Sequence, residues 1–303
     1  MREVISFIIF PGFIFTAVVG LFLTWVDRKV SAVIQWRVGP PWYQPFADFL
    51  KLLLKETMVP EGASKALFLG APMISVLAPT AVMVMLWTMN FSPGTSFLGD
   101  LIVILYLVAL LPIAVIIGGS SSRNPLSAIG ASREMSLYFA YELPFLLVLM
   151  VPVLKADGSI RIGELILIQQ ATRPFLYSVS GVIAFAVAFI CVQAKLGYVP
   201  FDAPEAEQEI MAGPYLEYSG VPLAMFKLSR AMMLFVMPLF LITIFWGGIA
   251  DWWTIPKFLL ILVLIIVIKN TNPRLRIEQA LRFFWTRLSI VGAVALVLAI
   301  LGF

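Results

Sequence analysis

The chain has 303 residues, 61% of them apolar and 13% charged, with a formal net charge of +4. A soluble domain carries nearer ~25% charged residues, and no water-soluble shape of this length hides so much apolar surface, so the solvent this sequence expects is lipid. Histidine is absent and Cys191 is the one cysteine, which argues against a resident haem, iron–sulfur cluster or zinc ion, because those sites draw on His or on several thiolates.

The 13 Met residues are scattered through apolar segments and read as packing. Cys191 lies inside an apolar run and reads as a small buried side chain. The expectation is a chain with no metal and no cofactor of its own.

A membrane-spanning helix needs ~20 mostly apolar residues. Eight stretches are candidates, at roughly 5–26, 69–91, 98–118, 134–154, 175–194, 219–249, 255–269 and 286–302, the seventh being short. The sixth is long enough to tilt or to kink at Pro238. The start, Met1 to Glu3, runs straight into the first stretch with no small-residue cleavage site after it, and reads as part of a retained helix. The fold class is therefore all-α, a multi-pass membrane protein with about eight spans in a single domain over 1–303. No 20–50-residue repeat and no low-complexity segment interrupts it.

Eight spans put both termini on one side. Of the 21 Lys and Arg, all but Arg2, Lys155, Arg161, Arg173 and Lys257 fall in the connections after spans one, three, five and seven or at the helix ends beside them. By the positive-inside rule those connections face the cytoplasm and both termini face outward. This asymmetry accounts for the basic charge, and nothing in it points to nucleic acid.

In the first connection, 43–56 is too short and too polar to span. Phe46, Phe49, Leu50 and Leu53 recur at helical spacing, with Asp48, Lys51 and Lys55 on the other side. That pattern predicts an interfacial amphipathic helix. It is either a lipid-surface anchor or a bracket that grips a soluble partner. The preceding Arg37-Val-Gly-Pro-Pro41 is a turn, because consecutive prolines forbid a helix.

The fourth span opens on Arg133-Glu134 and continues through Tyr138 and Glu142 at i, i+4, i+8 spacing from Glu134. Glu134 at the water interface is ordinary helix-start electrostatics. Glu142 lies deeper, where a charge costs ~3 kcal/mol on insertion scales. It is either part of a proton path or the structural partner of a neighbouring Arg or Lys.

The fifth connection is the most acidic. Asp202 and Glu205 have capping-box spacing, Pro204 suits a first helical turn, and Gly213-Pro214 would end the helix. On such a helix Asp202, Glu205 and Glu209 share one face and Glu207 points elsewhere. With Glu217, these acids sit on the side where topology favours bases, flanked by Phe201, Ile210, Met211, Tyr215 and Tyr218. Half-buried carboxylates that repel one another have raised pKa values, which suits a proton- or cation-handling funnel. Lys227 and Arg230, at the start of the sixth span, can pair with these acids or act as switchable charges.

These segments together resemble a known family. Asp27-Arg-Lys-Val-Ser-Ala-Val-Ile-Gln-Trp-Arg-Val-Gly-Pro40 and Gln44-Pro-Phe-Ala-Asp-Phe-Leu-Lys-Leu-Leu-Leu-Lys-Glu56 are similar to the first-loop signature of the NuoH-type membrane subunit of respiratory complex I. Ser127-Ala-Ile-Gly-Ala-Ser-Arg-Glu-Met-Ser leading to Tyr141-Glu142, Pro200-Phe-Asp-Ala-Pro-Glu-Ala-Glu-Gln-Glu209 with Glu217-Tyr-Ser-Gly220, and Pro273-Arg-Leu-Arg-Ile-Glu-Gln279 resemble its later signatures, in order.

The resemblance implies a chain that anchors a soluble redox arm and leads acids into a polar axis toward antiporter-like pumps. That role falls on Glu134, Glu142, Asp202, Glu205, Glu207, Glu209 and Glu217, with Lys227 and Arg230 beside them. Docking falls on Arg37, Asp48, Lys51, Lys55, Arg133, Arg274 and Arg276. Iron–sulfur clusters and a nickel–iron centre are implied for partner chains only. The implied partners are soluble redox-arm subunits, antiporter-like and small membrane subunits, and lipid.

One departure matters. Quinone-reducing members usually carry a further Glu-Tyr pair about ten residues after Glu217-Tyr-Ser-Gly220, where this chain reads Phe226-Lys-Leu-Ser-Arg230. Met211-Ala-Gly-Pro-Tyr-Leu-Glu-Tyr218, Lys227 and the ending Asn272-Pro-Arg-Leu-Arg-Ile-Glu-Gln279 look more like the membrane subunit of energy-converting [NiFe] hydrogenases and their sulfur-reducing relatives. The expectation is a non-cofactor coupling subunit of such an oxidoreductase, moving H⁺ or Na⁺ with its neighbours. The alternatives are the quinone-binding NuoH-type subunit of complex I and a stand-alone secondary transporter. The missing repeat and the one-sided acids argue against the transporter.

Overall fold

The computed structural model describes residues 2–249 and 251–303, without the side chains of Arg2, Glu3, Glu207 and Gln208, and contains no strand among the described residues. The expectations for Arg2 and for the Glu207 side chain therefore lie outside the described residues. The helices are α1 (Arg2–Ile8), α2 (Phe13–Ile34), α3 (Gln44–Leu54), α4 (Lys65–Phe91), α5 (Asp100–Ser121), α6 (Pro125–Lys155), α7 (Ile162–Ala171), α8 (Val179–Lys195), α9 (Glu207–Ile210), α10 (Gly220–Phe245), α11 (Thr254–Thr271), α12 (Ile277–Arg282) and α13 (Ser289–Ile300). A π-helical turn joins the last two.

Seven helical stretches are long and apolar enough to cross a bilayer, the first being Val4–Ile34 and the last Ile277–Ile300. The expected fifth span is α8, which has only 17 residues. Its rise of ~25 Å is at the low end of what a hydrocarbon core requires. Ser180 at its start donates to the carbonyl of Phe303, while Gln193 near its end donates to the carbonyl of Val199.

Two spans begin or end far from their hydropathy limits. Helix α2 continues through Asp27, Arg28 and Lys29 to Ile34, beyond the expected end at 26. Helix α6 starts at Pro125 instead of 134, because the Asn124 side chain accepts the Leu126 N–H at 2.9 Å and Pro125 suits a first helical position. The polar Ser127–Arg133 stretch is therefore helical without being lipid-like.

The fifth connection is not the expected capped helix. It consists of 3-10 turns at Ala203–Glu205 and Gly213–Tyr215 around the four-residue α9, and Met211 reverses the chain at φ 57°. The Asp202 side chain makes no cap. It is engaged by Arg274 instead. The shared face of Asp202, Glu205 and Glu209 does not exist, and each carboxylate meets a different helix or stretch of loop. The loop expected at 155–174 likewise contains a helix, α7, whose first N–H is satisfied from α5: Ile162 N donates to the Asp100 carboxylate at 2.8 Å.

Beyond Lys227 and Arg230 near its start, helix α10 is apolar all round and almost wholly buried, which makes it the central post. It packs on α2, α4, α8 and α11. Its approach to α2 is set by Gly20, where an added Cβ would lie 2.5 Å from the carbonyl oxygen of Ala231. Pro238 sits inside this continuous helix. Internal prolines are tolerated in bilayer helices because neighbours re-satisfy the freed backbone groups.

Side-chain contacts sort the loops onto two ends. At one end, Lys155 and Ser180 both bond the carbonyl of Phe303, and Asn90 ties the end of α4 to Thr243 and Ile249. At the other, Gln35 meets Asn270, Arg274 meets Asp202, and Ser127 meets Pro214. The acid-rich loop and the amphipathic α3 share this second end, which is also where most Lys and Arg lie.

Candidate functional site

Inside the bundle, Lys195 Nζ donates to the Glu142 carboxylate. The lysine is the last residue of α8 and its side chain is 2% exposed, against 15% for Glu142. The ammonium also lies 4.8 and 4.5 Å from the ring centroids of Tyr141 and Phe145. An intramembrane charge needs such a partner. The partner was not legible beforehand, because Lys195 looks like an ordinary basic residue at a helix end. Cys191, one turn earlier on α8, is fully buried.

At the end of the bundle, the acids are paired rather than facing one another. Arg274 Nε contacts Asp202 at 2.8 Å, and Leu275 N donates to the carbonyl of Pro200 at 3.0 Å. Arg230 pairs with Glu205 and lies 5.2 Å over the Tyr215 ring. Arg133 pairs with Glu209, and Asn124 donates to Glu217. The expectation of mutually repelling carboxylates is corrected for the four loop acids whose side chains are described: each meets a donor from another element. Burial still raises the Asp202 carboxyl above its ordinary range, with Arg274 opposing. Burial also pushes the phenols of Tyr198 and Tyr215 upward, so both stay protonated donors.

Glu134 is half-buried, and Arg230 and Glu205 are the charged groups that act on it. Arg230 thus joins α10, α6 and the acid loop. Its approach depends on Gly197, at φ 64°, where a Cβ would lie 2.9 Å from the guanidinium. Lys227 is exposed and forms no ion pair among the described residues. The expected pairing with acids holds for Arg230 alone.

Of the expected docking residues, Asp48, Arg133 and Arg274 are engaged within the chain. Arg28 donates to Asp48 at 2.9 Å, and Gln44 donates to its other oxygen at 2.9 Å. Burial raises the Asp48 carboxyl, but these two bonds together with the charges of Arg28 and Lys51 outweigh it and hold the group below its ordinary range. Arg37, Lys51, Lys55 and Arg276 are exposed, and beside Arg37 the side chains of Trp36 and Val38 are each 98% exposed. Phe49 of α3 packs against the cluster of Ala17, Leu228 and Met232, so α3 is seated on α10 and α2.

A second buried pair has no counterpart among the sequence expectations. Lys269 Nζ of α11 donates to Asp27 Oδ2 of α2 at 2.6 Å and lies 4.5 Å over the Tyr198 ring. Asp27 is 4% exposed, and its Oδ1 is buried without a partner. Asp27 and Tyr198 line a cleft of about 510 Å³ between α2, α3 and α10, together with Asp48, Lys51, Lys227 and Arg230. The available signal was an acid inside a helix that continues past its apolar stretch. A second crevice, of about 330 Å³, lies between Arg133, Asp202, Glu209 and Arg274. The carboxylate–base pairs at this end are thus Asp202–Arg274, Glu209–Arg133, Glu205–Arg230 and Asp27–Lys269, while Glu142–Lys195 lies inside the bundle.

Comparison with known proteins gives this arrangement its family. The family model described as NADH dehydrogenase matches residues 5–300. The chain is 37% identical over 279 residues to the H subunit of an NADH-quinone oxidoreductase from a Geobacillus strain, covering 86% of this chain and 82% of that one. It is 35% identical to the protein of the same description from Thermomicrobium roseum, covering 94% and 92%. Among solved structures it superposes on a chain of the membrane-bound sulfane sulfur reductase, an archaeal respiratory membrane complex, with a TM-score of 0.82, 28% identity and 95% of this chain and 96% of that one covered. The chain belongs to the NADH dehydrogenase family and is a homologue of the NuoH-type subunits of NADH-quinone oxidoreductases.

Proposed function

We propose that this chain is the membrane anchor and coupling subunit of a multi-subunit respiratory oxidoreductase of the hydrogenase or sulfur-reductase type. A soluble arm on partner chains carries the redox centres and sits on the face formed by α3, Arg37 and the acid loop. Electron transfer there changes the protonation or pairing of the loop acids, and the change passes inward to Glu142–Lys195. Neighbouring antiporter-like subunits then move H⁺ or Na⁺. The basic end faces the cytoplasm and both termini face outward, as the charge asymmetry argues.

The observation that supports this reading best is the run of ion pairs Asp202–Arg274, Glu209–Arg133, Glu205–Arg230 and Glu142–Lys195. A structural anchor alone has no need of a buried pair whose desolvation offsets most of its attraction. The sulfur-reductase neighbour, the 211–218 wording, Lys227 and the 272–279 ending favour the hydrogenase-like branch. The test is ion uptake per electron in sealed vesicles. In complexes that still assemble, Glu142→Gln should abolish uptake while soluble-arm electron transfer continues, and Glu142→Gln with Lys195→Met, which no longer strands the ammonium, should assemble better without regaining uptake. An unchanged ratio returns Glu142 to a structural role.

The cleft between α2, α3 and α10 favours a second reading, the quinone-binding NuoH-type subunit of complex I. Quinone analogues distinguish the two: no effect on turnover supports the first reading, and competitive inhibition that maps to α3 supports the second.

A further inference from the structure

A hydroxyl lies open on the outside of the bundle at a depth where lipid is pure hydrocarbon. Tyr106 of α5 is 74% exposed. The apolar stretches 98–118 and 134–154 centre on 108 and 144, so Tyr106 on α5 and Glu142 on α6 both lie near mid-bilayer. Either boundary is then on the order of 10–15 Å away, farther than a tyrosine side chain reaches. The other largely exposed tyrosines, Tyr43 and Tyr177, precede α3 and α8, where water or head groups serve the hydroxyl.

Tyr106 has polar company at this height. Tyr106 and Glu142 both act electrostatically on Tyr138, which is half-buried one turn before Glu142 on α6. Neither the Tyr106 nor the Tyr138 hydroxyl has a hydrogen-bond partner among the described residues. Glu142 gives one carboxylate oxygen to Lys195 and its side chain stays 15% exposed. Around them Ile102 and Val103 of α5 and Phe139 and Leu143 of α6 are exposed and apolar.

Hydrocarbon accepts no hydrogen bond, so a phenol left there without an acceptor is costly. The acceptors of a lipid, its ester and phosphate oxygens, stay at the boundary. Donors at mid-height therefore call for protein, in the form of a helix with a polar side chain at the same level.

We propose that the outer face of α5 and α6 at Tyr106 and Tyr138 is the contact for a transmembrane helix of a neighbouring subunit that carries a side-chain hydrogen-bond acceptor at mid-bilayer. This acceptor sits beside Glu142, so a change at the Glu142–Lys195 pair leaves the chain through this face. The inference rests on the reading above only in that the chain works among other membrane subunits.

The test uses the assembled complex in its native membrane, with Tyr106 replaced by the photo-reactive p-benzoylphenylalanine. Illumination should join this chain to a membrane-spanning helix of another subunit, and peptide mapping should place an Asp, Glu, Asn, Gln, Ser or Thr within one turn of the adduct. Adducts on lipid alone, on a second copy of this chain, or on a helix without such a side chain would overturn the proposal. Tyr106→Phe and Tyr138→Phe keep the rings and remove one hydroxyl each. Each should raise the loss of that neighbour about fivefold when the complex is diluted into detergent and followed by native mass spectrometry, the scale of one hydrogen bond. Unaltered loss in both variants would also overturn it. Neither readout depends on ion uptake, so this contact and the coupling role of Glu142 fail separately.

Discussion

Lys195 and Glu142 meet where the short helix α8 ends against the interior of α6, and the ion pair is enclosed by the rings of Tyr141 and Phe145. Removing one partner of a buried pair strands a charge and costs about 3–5 kcal/mol, whereas neutralising both is far cheaper. Lys195→Met should therefore destabilise the complex strongly, and Glu142→Gln with Lys195→Met should recover most of the loss. SDS-induced unfolding of the four forms measures the coupling. Additive losses would mean the two groups do not share a pair.

Gly130 lets the acid loop seat on α6. A Cβ there would lie 2.7 Å from Pro214 Cδ and N, atoms of a ring and a backbone that cannot swing away. Gly130→Ala should cost about 1–3 kcal/mol, as overpacking does. It should also loosen the nearby Ser127–Pro214 and Arg133–Glu209 contacts. Gly70→Ala in α4, where nothing lies within 4 Å, serves as the control and should be neutral or stabilising.

Seating of α3 should depend on pH through Asp48. Its carboxyl is held below the ordinary value of 3.8 when α3 is seated, so the detached form takes up the proton more readily. Seating is then at full strength above that pH and weakens as pH falls through the lowered value. Labelling of a cysteine at Phe49, with Cys191 replaced, should be flat at higher pH and rise on strong acidification. Asp48→Asn should label up to about fivefold faster at neutral pH, the scale of an exposed pair, with no acid-dependent rise. A rise already under way near pH 6 in both forms would exclude Asp48 as the cause.

Orientation can be read with single cysteines in a background lacking Cys191. Ser64 lies just before α4 and Ser159 in the loop after α6. Under the proposed topology Ser64→Cys labels from the cytoplasmic side and Ser159→Cys from outside. Labelling of both from one side would show that an odd number of helices between them fails to cross.

Composition alone required lipid, because no other solvent accepts this much apolar surface, and periodicity placed α3 nearly to the residue, since a half-buried helix writes its two faces into the sequence. Helix limits were misread where polarity and helicity part company. The Asn124 cap and Pro125 start α6 in a polar stretch, and α2 carries Asp27 beyond its apolar part. The acid loop was recognisable as a set of residues but not as a shape, because Met211 and the loop's long-range partners decide its path.

Pairing was illegible for a simpler reason. Glu142 and Lys195 are 53 positions apart, and Asp27 and Lys269 are 242 apart. The cost of a lone charge in a membrane dictates from sequence that Glu142 needs a partner, water or a proton. Which of these it has depends on which helices touch and at what height, and that is set by side-chain packing across the whole bundle, which only the tertiary structure fixes.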